Sequence, residues 1–338
     1  MNDLFLFYAT LIGFPTIGYI LKTLFPIYFS NYTYQFAVWI ATPTLVFTSY
    51  RNNILSDFWT IPFIAITAIV ISTIFVYIII DLGCINERIH LLSNTNKVNQ
   101  NFNFITHTSP RLSSLITPKN SETQASLIIN GVIGNTSYIA FPIILLVLDS
   151  TQTQYFTWGV IFSLFNSTLV SYFLLMISYR FHNEKLDFES LTTPIKSIFR
   201  NQIFWALLIG YLVNIFMPLD KLEGSINQVR YLIICINLIA IGAQLSFSKS
   251  KLNWNQSFTI LLVKMLITPL VISALFLLLN ITSFPTIIIL LQVAMPPLLL
   301  SKEIYKQSNL SKNFNISAHS IGFVLLAFTV PIWAVLSR

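Results

Sequence analysis

Ten apolar stretches, most of them close to the roughly 20 residues needed to cross a bilayer as helix, dominate this chain. They lie near 4–25, 33–50, 58–81, 123–149, 154–179, 202–219, 226–247, 255–279, 282–303 and 314–336. In hydrocarbon only structures that pair their own backbone groups survive, and a helix does so within one segment. The expected fold class is therefore an all-α integral membrane protein with ten transmembrane helices. A soluble alternative fails on composition: 9% of the 338 residues are charged and 55% hydrophobic, with mean hydropathy +0.72. Soluble domains carry about 25% charged residues.

The net charge of +7 is spread over many connections. No cluster is dense enough for nucleic acid, so the basic residues read as markers of the cytoplasmic side. With the N-terminus outside, the cytoplasmic loops and their flanks hold 14 of the 19 Lys and Arg. Leaving out the long loop 82–122 keeps the bias at 10 to 4. Both termini are therefore expected outside, in a multi-pass protein of the cell (inner) membrane. The start, "MNDLFLFYAT", lacks a basic n-region, so the first apolar stretch is expected to be retained. Cys84 and Cys235 form no disulfide or metal framework.

The sequence also repeats itself. "IGYILKTLFP" (17–26) matches "IGYLVNIFMP" (209–218) at Ile, Gly, Tyr and Pro, and "LVFTS" (45–49) resembles "LSFSK" (245–249). Both pairs share a five-helix offset. An odd number of spans per half gives the halves opposite orientations, the inverted-repeat plan of secondary transporters. The expected domains are a first five-helix repeat at 1–179, a cytoplasmic linker at 180–201 and a second repeat at 202–338. The Asn-, Ser- and Thr-rich segment 82–122 reads as a solvated insertion in the first repeat.

Two spans are interrupted at corresponding places, the fourth by "GNTSYIAFP" (134–142) and the ninth by "QVAMPPLLL" (292–300). Paired breaks point to a midplane binding site. Proline suits the start of a helix, so Pro142 and Pro296 or Pro297 are expected to open half-helices. Their free N–H donors and dipole ends would seat an anion, most simply a carboxylate. The expected lining is Asn135, Thr136, Ser137, Pro142, Gln292, Pro296, Pro297, Asn166 and Gln244.

"GNTSYIAFPI" resembles the fourth-helix signature of bacterial members of the auxin efflux carrier family. "ATPTLVF" (41–47), "KMLITPL" (264–270) and "AMPPLLLSKEIYKQ" (294–307) resemble its second, eighth and ninth helices, in order along nearly the whole chain. That family includes the plant PIN-type auxin exporters. The resemblance implies two five-helix inverted repeats with crossing broken helices 4 and 9, and export of a small organic anion by elevator-type alternating access. By position, Asn135 takes the family's polar break residue, and Pro142 and Pro296 its crossing prolines. Ala140 departs from a glycine common among relatives. The long loop follows the third span, whereas the plant exporters carry theirs after the fifth.

The remaining polar residues refine this picture. All twelve acidic residues lie outside the span centres, which argues against coupling through an intramembrane carboxylate. Glu303 comes nearest. Lys264 sits roughly 13 Å inside a span at helical rise, within reach of snorkelling to the interface. Ser163, Asn166, Ser167 and Ser171 share one helix face, as cavity lining or as a packing seam. Ser171 is expected to lie outside the site, and His319 to be structural.

No nucleophile–base arrangement or metal motif appears, so an enzyme is not expected. Neither is a cofactor or metal. The expected partners are the bilayer and a small organic anion, with a homodimer left open. Two alternatives stand beside the carrier: a sodium-coupled organic-anion symporter of the bile-acid-transporter type, and an anion channel.

Overall fold

The computed structural model describes residues 2–25, 28–50, 60–95, 118, 121–148, 155–182, 188–216, 223–247, 254–279, 286–300, 304–305 and 310–336. Its helices are α1 (Asn2–Leu24), α2 (Tyr28–Phe36), α3 (Thr42–Ser49), α4 (Thr60–Thr95), α5 (Ser121–Val132), α6 (Ala140–Val147) and α7 (Phe156–His182). These are followed by α8 (Phe188–Arg200), α9 (Gln202–Phe216), α10 (Glu223–Gln244), α11 (Trp254–Leu262), α12 (Thr268–Leu278), α13 (Thr286–Val293) and α14 (Lys312–Leu336). Among the described residues, six helices are long and apolar enough to cross a membrane, or seven if α8 and α9, bent by 47° at Asn201, count as one span. Phe63, Phe216, Leu277 and Leu278 are more than two-thirds exposed. Apolar side chains displayed on this scale suit lipid as the solvent. The protein is all-α and membrane-embedded.

Four sequence expectations shift. Helix α4 continues to Thr95, well into the segment expected as loop; residues 96–117 of that segment lie outside the described residues. The expected linker 180–201 contains a helix, α8. The second and eighth stretches each contain a five-residue π-turn, Ala37–Ala41 and Val263–Ile267. Both turns precede a Thr-Pro pair. Proline cannot donate to the carbonyl four residues back, and the wider turn accommodates that loss. Thr42 and Thr268 donate instead to Ala37 and Val263, five residues back. Met265, four residues before Pro269, offers its carbonyl to the buried Trp333 indole at 3.0 Å. Finally, helix in the ninth stretch ends at Val293, and 294–300 is not helical.

Close backbone packing joins helices from the two halves of the chain. Helix α1 makes its most extensive contact with α10. A Cβ on Gly18 would fall 1.9 Å from the Ile239 carbonyl oxygen, and one on Gly242 2.0 Å from that of Pro15. Small residues permit such approach in membranes, where there is no hydrophobic drive between helices. Gly210 on α9 plays the related part against Tyr50 and Phe47, at the end of α3. The main apolar cluster surrounds the two interrupted segments, with Leu45, Phe141, Ile144, Phe156, Leu291 and Trp333 fully buried.

Candidate functional site

The two breaks meet. Between α5 and α6 the chain runs non-helically from Ile133 to Ile139, and after α13 from Ala294 to Leu300. Gly134 and Pro297 form an isolated antiparallel bridge, and the Asn135 N–H donates to the Pro296 carbonyl at 2.8 Å. Backbone freed by one break is thus partly paired by the other, which makes irregular chain tolerable deep in a bundle. Gly134 allows close approach here: a Cβ would lie 3.1 Å from Met295 O and 3.2 Å from Lys264 Cε, so a side chain would make these neighbours give way by a few tenths of an ångström.

Asn135 is not a free ligand. It is 1% exposed, and its Oδ1 accepts from the N–H groups of Tyr138 (3.1 Å) and Ile139 (3.3 Å). It caps the turn leading into α6, so two donors expected to face an anion are already used. Pro142 is the third residue of α6 rather than its first, where a missing N–H still costs nothing. Pro296 and Pro297 open no helix among the described residues; they lie in the bridged segment.

Neighbouring helices brace both breaks. Thr136 Oγ1 lies 3.2 Å from Ser163 Oγ and accepts from Asn166 Nδ2 at 3.2 Å. Gln292 Nε2 donates to the Gly159 carbonyl at 3.0 Å. On the other side, Asn315 of α14 donates to Asn130 Oδ1 (2.7 Å) and Leu298 O (3.0 Å), and accepts from the Tyr305 hydroxyl. His319 Nδ1 lies 2.8 Å from Pro297 O; a carbonyl only accepts, so Nδ1 carries the proton. Its Nε2 is buried with no partner among the described residues, as are Gln292 Oε1 and Tyr138 Oη.

Lys264 overturns the snorkelling expectation. The π-turn directs it inward, it is 5% exposed, and its Nζ donates to Val132 O at 2.8 Å. Val132 is the last residue of α5, whose C-terminal end carries partial negative charge. Lys264 Nζ therefore sits on a helix end beside the paired breaks. No aspartate or glutamate is buried among the described residues.

A polar cavity of about 300 Å³ adjoins the break. Ser137 and Tyr138 reach it from the break, Val38 from the first π-turn, Thr42 from the start of α3, and Ser167 and Ser171 from α7. Ser197, Arg200, Asn201 and Gln202 close it at the α8–α9 bend. Arg200 is its charged lining residue among those described. Ser171, expected outside the site, lines this cavity, and on the same face of α7 Ser163 and Asn166 meet Thr136 of the break. Gln244 is elsewhere, donating to the Ser30 carbonyl at 2.6 Å. A larger cavity of about 350 Å³ between α1 and α14 is almost wholly apolar. Glu303 lies outside the described residues.

Sequence reasoning missed Asn130, Asn315, Tyr138 and Arg200. A detectable signal existed for two of them, since an amide inside an apolar span needs a partner there. Among the described residues no group of three His, Cys, Asp or Glu could hold a metal. The sequence matches no protein-family model and no curated protein.

Proposed function

We infer that this protein is a secondary transporter that moves a small organic anion across the membrane, with its site where the two interrupted segments meet. The observation that carries this reading is their direct pairing, Gly134 with Pro297 and Asn135 N–H with Pro296 O, beside a polar cavity whose charged residue is a cation. Non-helical backbone at such depth is characteristic of carrier sites. Arg200, with the hydroxyls of Ser137, Ser167 and Ser171 also in the lining, suits a carboxylate with hydrogen-bonding substituents.

The finer architecture belongs to the same reading: ten spans in two inverted five-helix repeats, broken helices crossing, and membership of the auxin efflux carrier family. Two pseudo-equivalences support it. Gly18 and Gly210, aligned in the repeated motif, each pack against the second span of the opposite half. The segments 133–139 and 294–300 are each braced by the next long helix along the chain, α7 and α14. Both termini outside, and residence in the cell membrane, follow the charge bias of the loops. The absence of buried acidic residues among those described favours uncoupled, downhill export over the sodium symporter.

Reconstituted protein tests this. Uptake of radiolabelled benzoate, as a probe carboxylate, should saturate, show counterflow and persist without sodium. Linear conductance would replace the carrier by a channel, and strict sodium dependence by the symporter.

A further inference from the structure

Helix α8, Phe188–Arg200, is unlike the spanning helices. Leu191, Ile195 and Phe199 recur every fourth residue and form one stripe, 44%, 51% and 60% exposed. Lys196 and Arg200, also exposed and four apart, form a second stripe beside it. Pro194 is buried toward the protein, while Ser197 and Arg200 turn their edge to the polar cavity. Helix α8 packs on α7 and α9, and neither covers the apolar stripe.

Its surroundings identify the cover. At the 47° bend α8 passes into α9, whose Trp205, Leu208, Ile209 and Leu212 continue the exposed apolar surface. The Trp205 indole donates to the Phe199 carbonyl at 2.8 Å. Phe199, Phe204 and Trp205 meet edge to face, with centroids 5.6 and 5.5 Å apart. Tryptophan is enriched at the boundary between acyl chains and headgroups. A helix with an apolar stripe and a basic polar face lies in that plane, attracted by anionic lipid.

We propose that α8 is an interfacial lipid-binding helix, with Leu191, Ile195 and Phe199 among acyl chains and Lys196 and Arg200 on anionic phospholipid headgroups. Because Arg200 also lines the cavity, lipid phosphate and a cavity anion draw on the same guanidinium. Membrane surface charge therefore regulates access to the anion site; this second step rests on the transport reading, the placement of α8 does not.

The test places a fluorescent thiol label at Ile195→Cys, Phe199→Cys or Thr193→Cys, in protein whose Cys84 and Cys235 are serine. The protein is reconstituted in phosphatidylcholine vesicles with or without phosphatidylglycerol. Labels at 195 and 199 should be quenched by nitroxide-bearing lipid and shielded from aqueous iodide, and the label at 193 should show the reverse. Phosphatidylglycerol should deepen the label at 195, and Lys196→Gln with Arg200→Gln should abolish that response. Iodide reaching 195 and 199 as readily as 193, or crosslinking between 195 labels of two copies, overturns the placement. Unchanged depth on adding phosphatidylglycerol overturns the headgroup contact. Benzoate flux in both vesicle types reports on regulation alone: it should fall with phosphatidylglycerol, and equal flux overturns that step while leaving the placement measurement intact.

Discussion

Replacing Asn135 with alanine separates a structural cap from a substrate ligand. One side-chain oxygen holds the N–H groups of Tyr138 and Ile139 at 3.1 and 3.3 Å, in a position only 1% exposed. Water cannot readily take its place, so the deletion strands two buried donors. An unsatisfied buried donor costs about 1–3 kcal/mol, whereas loss of a helix cap costs about 0.5–2 kcal/mol. Both bonds are long and share one acceptor, so we expect about 2 kcal/mol of lost stability. Asn135→Asp keeps the acceptor and adds negative charge where a helix begins, worth about 0.3–1 kcal/mol, so it should stay close to wild type. Denaturant unfolding of purified protein in detergent measures both. A direct anion ligand gives the opposite order: alanine leaves the fold intact, and aspartate repels the substrate. Wild-type stability of Asn135→Ala would refute the capping argument.

Lys264→Met should insert normally and be at least as stable as wild type, because a buried ammonium without a carboxylate partner carries a desolvation cost that methionine does not, yet it should lose benzoate flux. Lost stability with flux retained would make Lys264 only a strut for Val132. Gly18→Ala should cost at least about 2 kcal/mol through its clash with Ile239, while Gly13→Ala, with nothing within 4 Å of its Cβ, should be tolerated. Differential scanning in detergent compares the two. Arg200→Gln should raise the KM for benzoate by about 2- to 5-fold, the range for an exposed charge contact, and the difference should shrink in added salt. A salt-independent difference would point to lost packing rather than lost charge.

The membrane class was readable because it depends on summed apolar character, which the ten stretches display without knowledge of contacts. The breaks were also readable, since Gly134, Asn135 and Pro142 are poor residues for uninterrupted helix in lipid. What each group does at the break was not. Whether Asn135 faces a ligand or its own backbone depends on a turn only four residues long, 136–139. The direction of Lys264 depends on one extra residue in a π-turn, enough to rotate the side chain from the interface to Val132. Arg200 escaped notice because α8 lies in a connection, and its cavity forms only when the α8–α9 bend closes over α7. Gln244 illustrates the converse error: polarity in an apolar span marks a need for a partner, which here is Ser30.

The tight seam between α1 and α10 bears on how the molecule is made. The surface that Gly18 and Pro15 present belongs to the earliest part of the chain, and the surface that fills it, around Ile239 and Gly242, is synthesised more than two hundred residues later. Until then α1 sits in the bilayer with its backbone-close face against lipid or the insertion machinery. Assembly therefore includes the docking of α10 onto a helix inserted well before it. A ribosome stalled after α9 would leave an inserted but unclosed intermediate. That intermediate is the species on which membrane proteases and chaperones would act.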